Sequence, residues 1–186
     1  MSFIKTIVPD EADRELSEVY EGISQAFGMV PAVFQSMSLR PDLLQPLSLF
    51  VKRLMLEEHA LSRTTKEFLA AYVSKLNACA YLIDAHGAMV MAQGFTAEQV
   101  RSILDDVRSN ELIEESTRAL LVFSEKMTRE PAKIAPEEVE ELRKTGLSDT
   151  AILEGVHVIS FFNYLDRMAD ALGTPVENFQ QMMMEG

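Results

Sequence analysis

One cysteine, Cys79, is all that the chain contains. An internal disulfide and a Cys-rich zinc site are therefore excluded. Positive charge is also scarce. Lys and Arg total 17 against 29 Asp and Glu, for a formal net charge of −12. A field of that sign repels nucleic-acid phosphates and anionic headgroups, so neither a nucleic acid nor a membrane is an expected partner. Long apolar runs are missing too. The longest, such as Phe68–Val73, fall far short of the roughly 20 residues a membrane helix needs. The opening Met1-Ser2-Phe3-Ile4-Lys5 turns acidic by Asp10 and shows no signal-peptide pattern, so the expected location is cytoplasmic. There is no HExxH, no glycine-rich phosphate loop and no GxSxG. Neither a metal nor a cofactor is expected.

What is present is helical punctuation along the whole chain. Asp10 is placed to cap a helix that closes at Gly28. Pro31 and Pro41 open the next two segments, the second running to about Glu58. Ser62 precedes an apolar helix over Thr64–Leu76, and Asn77 reads as the cap of one ending at Gly94. Further helices are expected over Ala97–Asp106, Glu114–Arg129, Pro136–Gly146 and Ser148–Gly173, with Pro175 starting the last. Period-2 alternation is rare. These signals predict an all-α protein of about nine helices, and the lack of a low-complexity linker predicts one domain over 1–186.

Chemistry concentrates between Glu67 and His86. After Asn77, positions 79, 82, 83, 86, 89 and 90 form one apolar stripe that includes Cys79 and His86. Cys79 falls in the first helical turn, where free N–H groups and the helix dipole favour a thiolate. Taken alone, the residue type favours the other reading, a small buried core residue. His86 lies two turns on, roughly 10 Å along the axis, too far for direct contact. Leu82 stands between them and can relay no proton. Glu67 sits in the preceding helix among Phe68, Leu69, Ala70 and Ala71. It either forms a surface pair with Arg63, four residues earlier, or reaches His86 across a helix contact and orients the imidazole. His59 reads as a solvated loop residue and His157 as a packed one.

Glu67, Ser74, Asn77 and then Cys79-Ala80-Tyr81-Leu82-Ile83-Asp84-Ala85-His86 together resemble the core motif of the AhpD-like superfamily, the alkylhydroperoxidase and carboxymuconolactone decarboxylase group. That pattern is a Glu twelve residues before C-x-x-C-x-x-x-H, and both spacings are met here. Tyr81 and segments around Phe34–Pro41, Lys126–Glu130, Gly146–Asp149 and Phe161–Gly173 are similar to the peroxidase-related subgroup. The resemblance implies an AhpD-like helical bundle and a homo-oligomer, commonly a trimer or hexamer. It also implies a proton relay of Glu67 and His86 that serves a pair of cysteines. Cys79 matches the first, resolving cysteine. The attacking position holds Leu82. A smaller departure is Asp166, where the subgroup often has Asn.

Three functions remain open on these residues. Cys79 alone reduces a hydroperoxide with help from an external thiol reductant. Alternatively, Glu67 and His86 do acid–base work on a small organic acid, carbonyl or lactone, with Tyr81 and Leu82 in the pocket. In the third, the fold is kept without catalysis.

Overall fold

The ten-residue run from Thr65 to Ser74 is buried from end to end, so the helix that carries it must be enclosed on every side. This helix, α4 (Arg63–Asn77), packs against three others: α5 (Ala80–Ala92), α7 (Glu115–Arg129) and α9 (Asp149–Leu172). The structure, a computed structural model, describes residues 2–185. Around the central four lie α1 (Arg14–Phe27), α2 (Ala32–Gln35), α3 (Pro41–Val51), α6 (Ala97–Asp105), α8 (Pro136–Lys144) and α10 (Phe179–Glu185). A wider π turn, Lys52–Leu56, continues α3. The protein is all-helical, with no strand among the described residues. Among the described residues no helix is long and apolar enough to cross a membrane.

Most helix ends follow the local chemistry of the sequence. Ser62, Thr96 and Ser148 each accept a hydrogen bond from the backbone N–H three residues on. Gly28 and Gly173 close α1 and α9 in the left-handed conformation. Three boundaries differ from expectation. The α1 cap is Asp13, which accepts from Leu16 N at 3.0 Å, while Asp10 lies in a short 3-10 turn. Asn77 is the last residue of α4 and caps nothing. Its side chain donates instead to Asp166 Oδ2 at 2.7 Å and Asn163 Oδ1 at 3.2 Å, which ties α4 to α9. Cys79 takes the N-cap position of α5. The last helix begins at Phe179 and not at Pro175, because its first amides are capped from α5 by Asp84.

The α4–α5 junction positions the site. Ala78 turns the chain in the left-handed region, φ 58°, and the Cys79 amide returns to the Ser74 carbonyl at 3.0 Å. The two helices then run back along each other as a hairpin. Gly87 and Ala88, which fall off the apolar stripe of α5, are nevertheless buried. Helix α5 is covered by α4 on one side and α10 on the other, so its burial is not confined to one stripe.

Candidate active site

Glu67 is completely buried, and both its oxygens are used. Oε1 accepts from Arg63 Nε at 2.5 Å, one turn back on α4. Oε2 lies 2.6 Å from His86 Nδ1 on α5. A carboxylate flanked by a guanidinium and an imidazole keeps its charge compensated where water is absent. Both readings of Glu67 thus meet in one residue: it pairs with Arg63 and reaches His86 across the helix contact. With the carboxylate as acceptor, Nδ1 carries a proton, and in the neutral form of the ring Nε2 holds the lone pair. Nε2 has no protein partner among the described residues. The Phe162 ring stands nearly perpendicular to the imidazole, 4.5 Å between centroids and 83° between planes, and packs against it. The His86 side chain is 15% exposed.

Beside the pair lies a cavity of about 260 Å³. Its polar wall is Arg63, Glu67, Tyr81 and His86, and the rest is apolar, including Phe34, Met55, Leu82, Phe161 and Phe179. Leu82 therefore presents hydrocarbon to the space beside His86. The Tyr81 hydroxyl is already engaged: it donates to Glu177 Oε2 at 2.8 Å and accepts from Val33 N at 3.3 Å. Burial and the nearby Glu177 carboxylate push its pKa above the ordinary phenol value.

Cys79 stands apart. It is 0% exposed and does not line the cavity. The sequence expectation of a lowered thiol pKa at a helix N-terminus is overturned. The Leu82 N–H does favour the thiolate, as the expectation required. Burial outweighs it, and with Asp170 and Asp166 nearby the thiol is pushed up to about 12. The surrounding groups make a second polar cluster, Ser74, Asn77, Cys79 and Asp166. Asp166 is fully buried and its pKa is raised, chiefly by desolvation. Asp166 Oδ1 and Ser74 Oγ both lack a hydrogen-bond partner among the described residues.

Of the five residues singled out from the sequence, the structure brings Glu67, Tyr81, Leu82 and His86 to one cavity and leaves Cys79 outside it. Phe162, Glu177 and Phe179 were not foreseen. They arrive from 76 or more positions beyond His86, and no local spacing records that. The other two histidines are on the surface. His59 sits 3.7 Å from Glu57, and His157, expected to pack inside, is exposed with its ring against Phe50. Among the described residues no three His, Cys, Asp or Glu side chains converge as a metal site.

The all-helical bundle around this hairpin is shared with other proteins. The profile of the Carboxymuconolactone decarboxylase family matches residues 41–125, which contain the whole hairpin. A peroxidase-related protein from Silicibacter sp. TM1040 is 30% identical, with 88% of this chain and 87% of that one covered and a TM-score of 0.79. This chain belongs to that family, the AhpD-like group. Two further solved structures share the fold at lower identity. A peroxidase-related protein with an AhpD core from Ralstonia eutropha JMP134 is 24% identical, covering 98% of this chain and 96% of its own at a TM-score of 0.83. The debrominase Bmp8 is 20% identical, with 98% and 96% covered and a TM-score of 0.81.

Proposed function

We propose that the protein is an acid–base enzyme in which His86 moves a proton to and from a small, largely apolar organic acid or carbonyl compound. The observation that carries this reading is the separation of the two candidate centres. The Glu67–His86 pair faces the cavity, and the only thiol does not. Nε2 accepts the proton from the substrate carbon or oxygen. Glu67 holds the imidazole by Nδ1 and stabilises the imidazolium that forms; the Nε2 proton exchanges with solvent, and the imidazolium then delivers a proton to the product. The terminal nitrogens of Arg63 have no partner among the described residues, which leaves them for a substrate carboxylate. The apolar walls fit the hydrocarbon of the substrate and strengthen these charge contacts by excluding water.

Hydroperoxide reduction by Cys79 is the weaker reading. Burial pushes the thiol up to about 12, which keeps it protonated and weakly nucleophilic at neutral pH. The peroxide would also have to reach a fully buried sulfur.

The test is incubation of a panel of small lactone, keto and aromatic acids in heavy water, followed by NMR for loss of carboxyl or uptake of deuterium. Turnover is expected in the wild type and in Cys79→Ala, and is expected to be lost in His86→Asn and strongly reduced in Glu67→Gln. Turnover of these acids that survives His86→Asn, or rapid peroxide consumption that disappears in Cys79→Ala, would overturn the reading.

A further inference from the structure

The C-terminal segment from Thr174 to Glu185 is attached in an unusual way. Helix α10 has no buried residue, yet Phe179 lines the cavity and is its one contribution to that wall. The attachments of this stretch to the rest of the fold are mainly side-chain hydrogen bonds. Asp84 accepts from Phe179 N at 2.7 Å and from Gln180 N at 3.2 Å. Glu177 Oε2 accepts from the Tyr81 hydroxyl at 2.8 Å and from Ala32 N at 3.0 Å. Gln180 Nε2 donates to the Ile83 carbonyl at 3.1 Å and lies over Gly87. At the start of the segment, Ser36 and Thr174 share a hydroxyl contact of 2.9 Å, and Thr174 N bonds to Ala169 O, which continues the closure of α9. Beyond that anchor the segment is fastened to α5 and to the start of α2.

We propose that the segment from 175 to 185 is a displaceable wall of the cavity, latched by Glu177 to Tyr81 and by Asp84 to the start of α10. Release of these latches removes Phe179 and opens the space beside His86. The partners of the latches, Tyr81 and Asp84, lie five and two residues before His86 on the same helix, and Tyr81 itself faces the cavity. A ligand that presses on Tyr81 therefore acts on the latch directly. Segments held by few buried contacts open at free energies well below global unfolding. A competing route into the cavity runs past Met29, the exposed residue of its lining, and the half-buried Arg63.

The proposal rests on the cavity being the working site, and the experiment reads access and not turnover, so the two can fail separately. Carbethoxylation of His86 by diethyl pyrocarbonate reports access to Nε2, and the exposed His59 and His157 serve as internal standards. The amide end of Gln180 lies over Gly87, its Nε2 2.5 Å from where a Cβ there would stand, so Gly87→Cys with Gln180→Cys puts thiols on facing positions of α5 and α10, and intact mass verifies that the bridge has formed before it is used. The buried Cys79 takes no part in this exchange. With the bridge oxidised, His86 is expected to react at least about tenfold more slowly than in the reduced form of the same variant, with His59 and His157 unchanged. An equal His86 rate in the two redox forms means access past Met29 and Arg63 and overturns the proposal. The unlatched variant, Asp84→Asn with Glu177→Gln, tests it without a bridge. Its His86 is expected to react several-fold faster than wild type, with loss of hydrogen-exchange protection confined to α10, and an unchanged rate also overturns the proposal.

Discussion

Cys79 and Asp166 are two buried acids whose surroundings decide in the same direction, toward the protonated form. For Cys79 the consequence is chemical inertness. Iodoacetamide at about pH 8 is expected to leave the thiol untouched in the native protein and to modify it fully once urea unfolds the chain. Fast labelling of the native state, followed by mass spectrometry, would show an accessible thiolate. For Asp166 the consequence is a pH-dependent stability. The folded protein retains this proton where the unfolded chain, titrating near 3.8, has lost it. Stability from this group is therefore greatest at low pH and declines as pH rises through the raised folded value. Asp166→Asn keeps an acceptor for Asn77 and supplies a donor toward Ser74 at every pH, with no proton to lose. It is expected to raise the urea midpoint at neutral pH, and to do so by less near pH 4. The sequence showed Asp166 as a departure from the residue usual in the family, but not its burial. It showed Cys79 at a helix start, but not that enclosure by α9 outweighs the helix dipole.

At the scale of elements, α4 holds more than hydrophobic contacts. Lys66 is fully buried and donates to the carbonyls of Leu54 and Glu57 at 3.0 and 2.7 Å, while pairing with Glu154 of α9 at 2.7 Å. Glu154 in turn accepts from the amides of Ala60 and Leu61 at 2.9 Å. Burial works against the Glu154 carboxylate, but Lys66 and the two amides outweigh it and hold its pKa below the ordinary value. The pair fixes the chain between the π turn and α4, next to the cavity residues Met55, Leu56 and Arg63. Lys66→Met leaves a carboxylate without its cation and is expected to cost about 3–5 kcal/mol in urea unfolding. A double variant with Glu154→Leu is expected to recover only part of that loss, because the two amides lose their acceptor. Nothing in the sequence singled out this pair, because a Lys in the first turns of a helix is ordinarily solvated. The caps at Ser62, Thr96 and Ser148 were legible because their chemistry is local. The cap supplied by Asp84 to α10 was not, because its partners are 95 and 96 residues away.

For the whole molecule, the net charge of −12 sets a background repulsion that folding concentrates. Thermal stability is expected to rise by several degrees as sodium chloride goes from very low levels to about 0.15 M, where the Debye length falls to about 8 Å. A flat response in calorimetry would mean that the local ion pairs, such as Arg143 with Asp149 and Glu140, already offset the excess. The fold class could be read from punctuation because helices announce their ends. The cavity could be read only in its hairpin half, since the walls from α1, α2, α9 and α10 meet it through packing that leaves no local signature.

The α4–α5 hairpin carries a further implication for what changes the chain tolerates. Glu67 and His86 meet across a turn of fixed geometry at Ala78 and Cys79, so their encounter depends on counting as much as on identity. Each residue inserted between Ala80 and His86 would rotate the imidazole by about 100° and advance it by about 1.5 Å. A single added alanine there would separate the pair while every side chain of the site remained present. Substitution at positions 79 and 82 leaves that count intact. Divergence within this hairpin can therefore proceed by exchange of residues far more readily than by gain or loss of one, and chemistry can drift while the frame that holds the proton-carrying pair stays fixed.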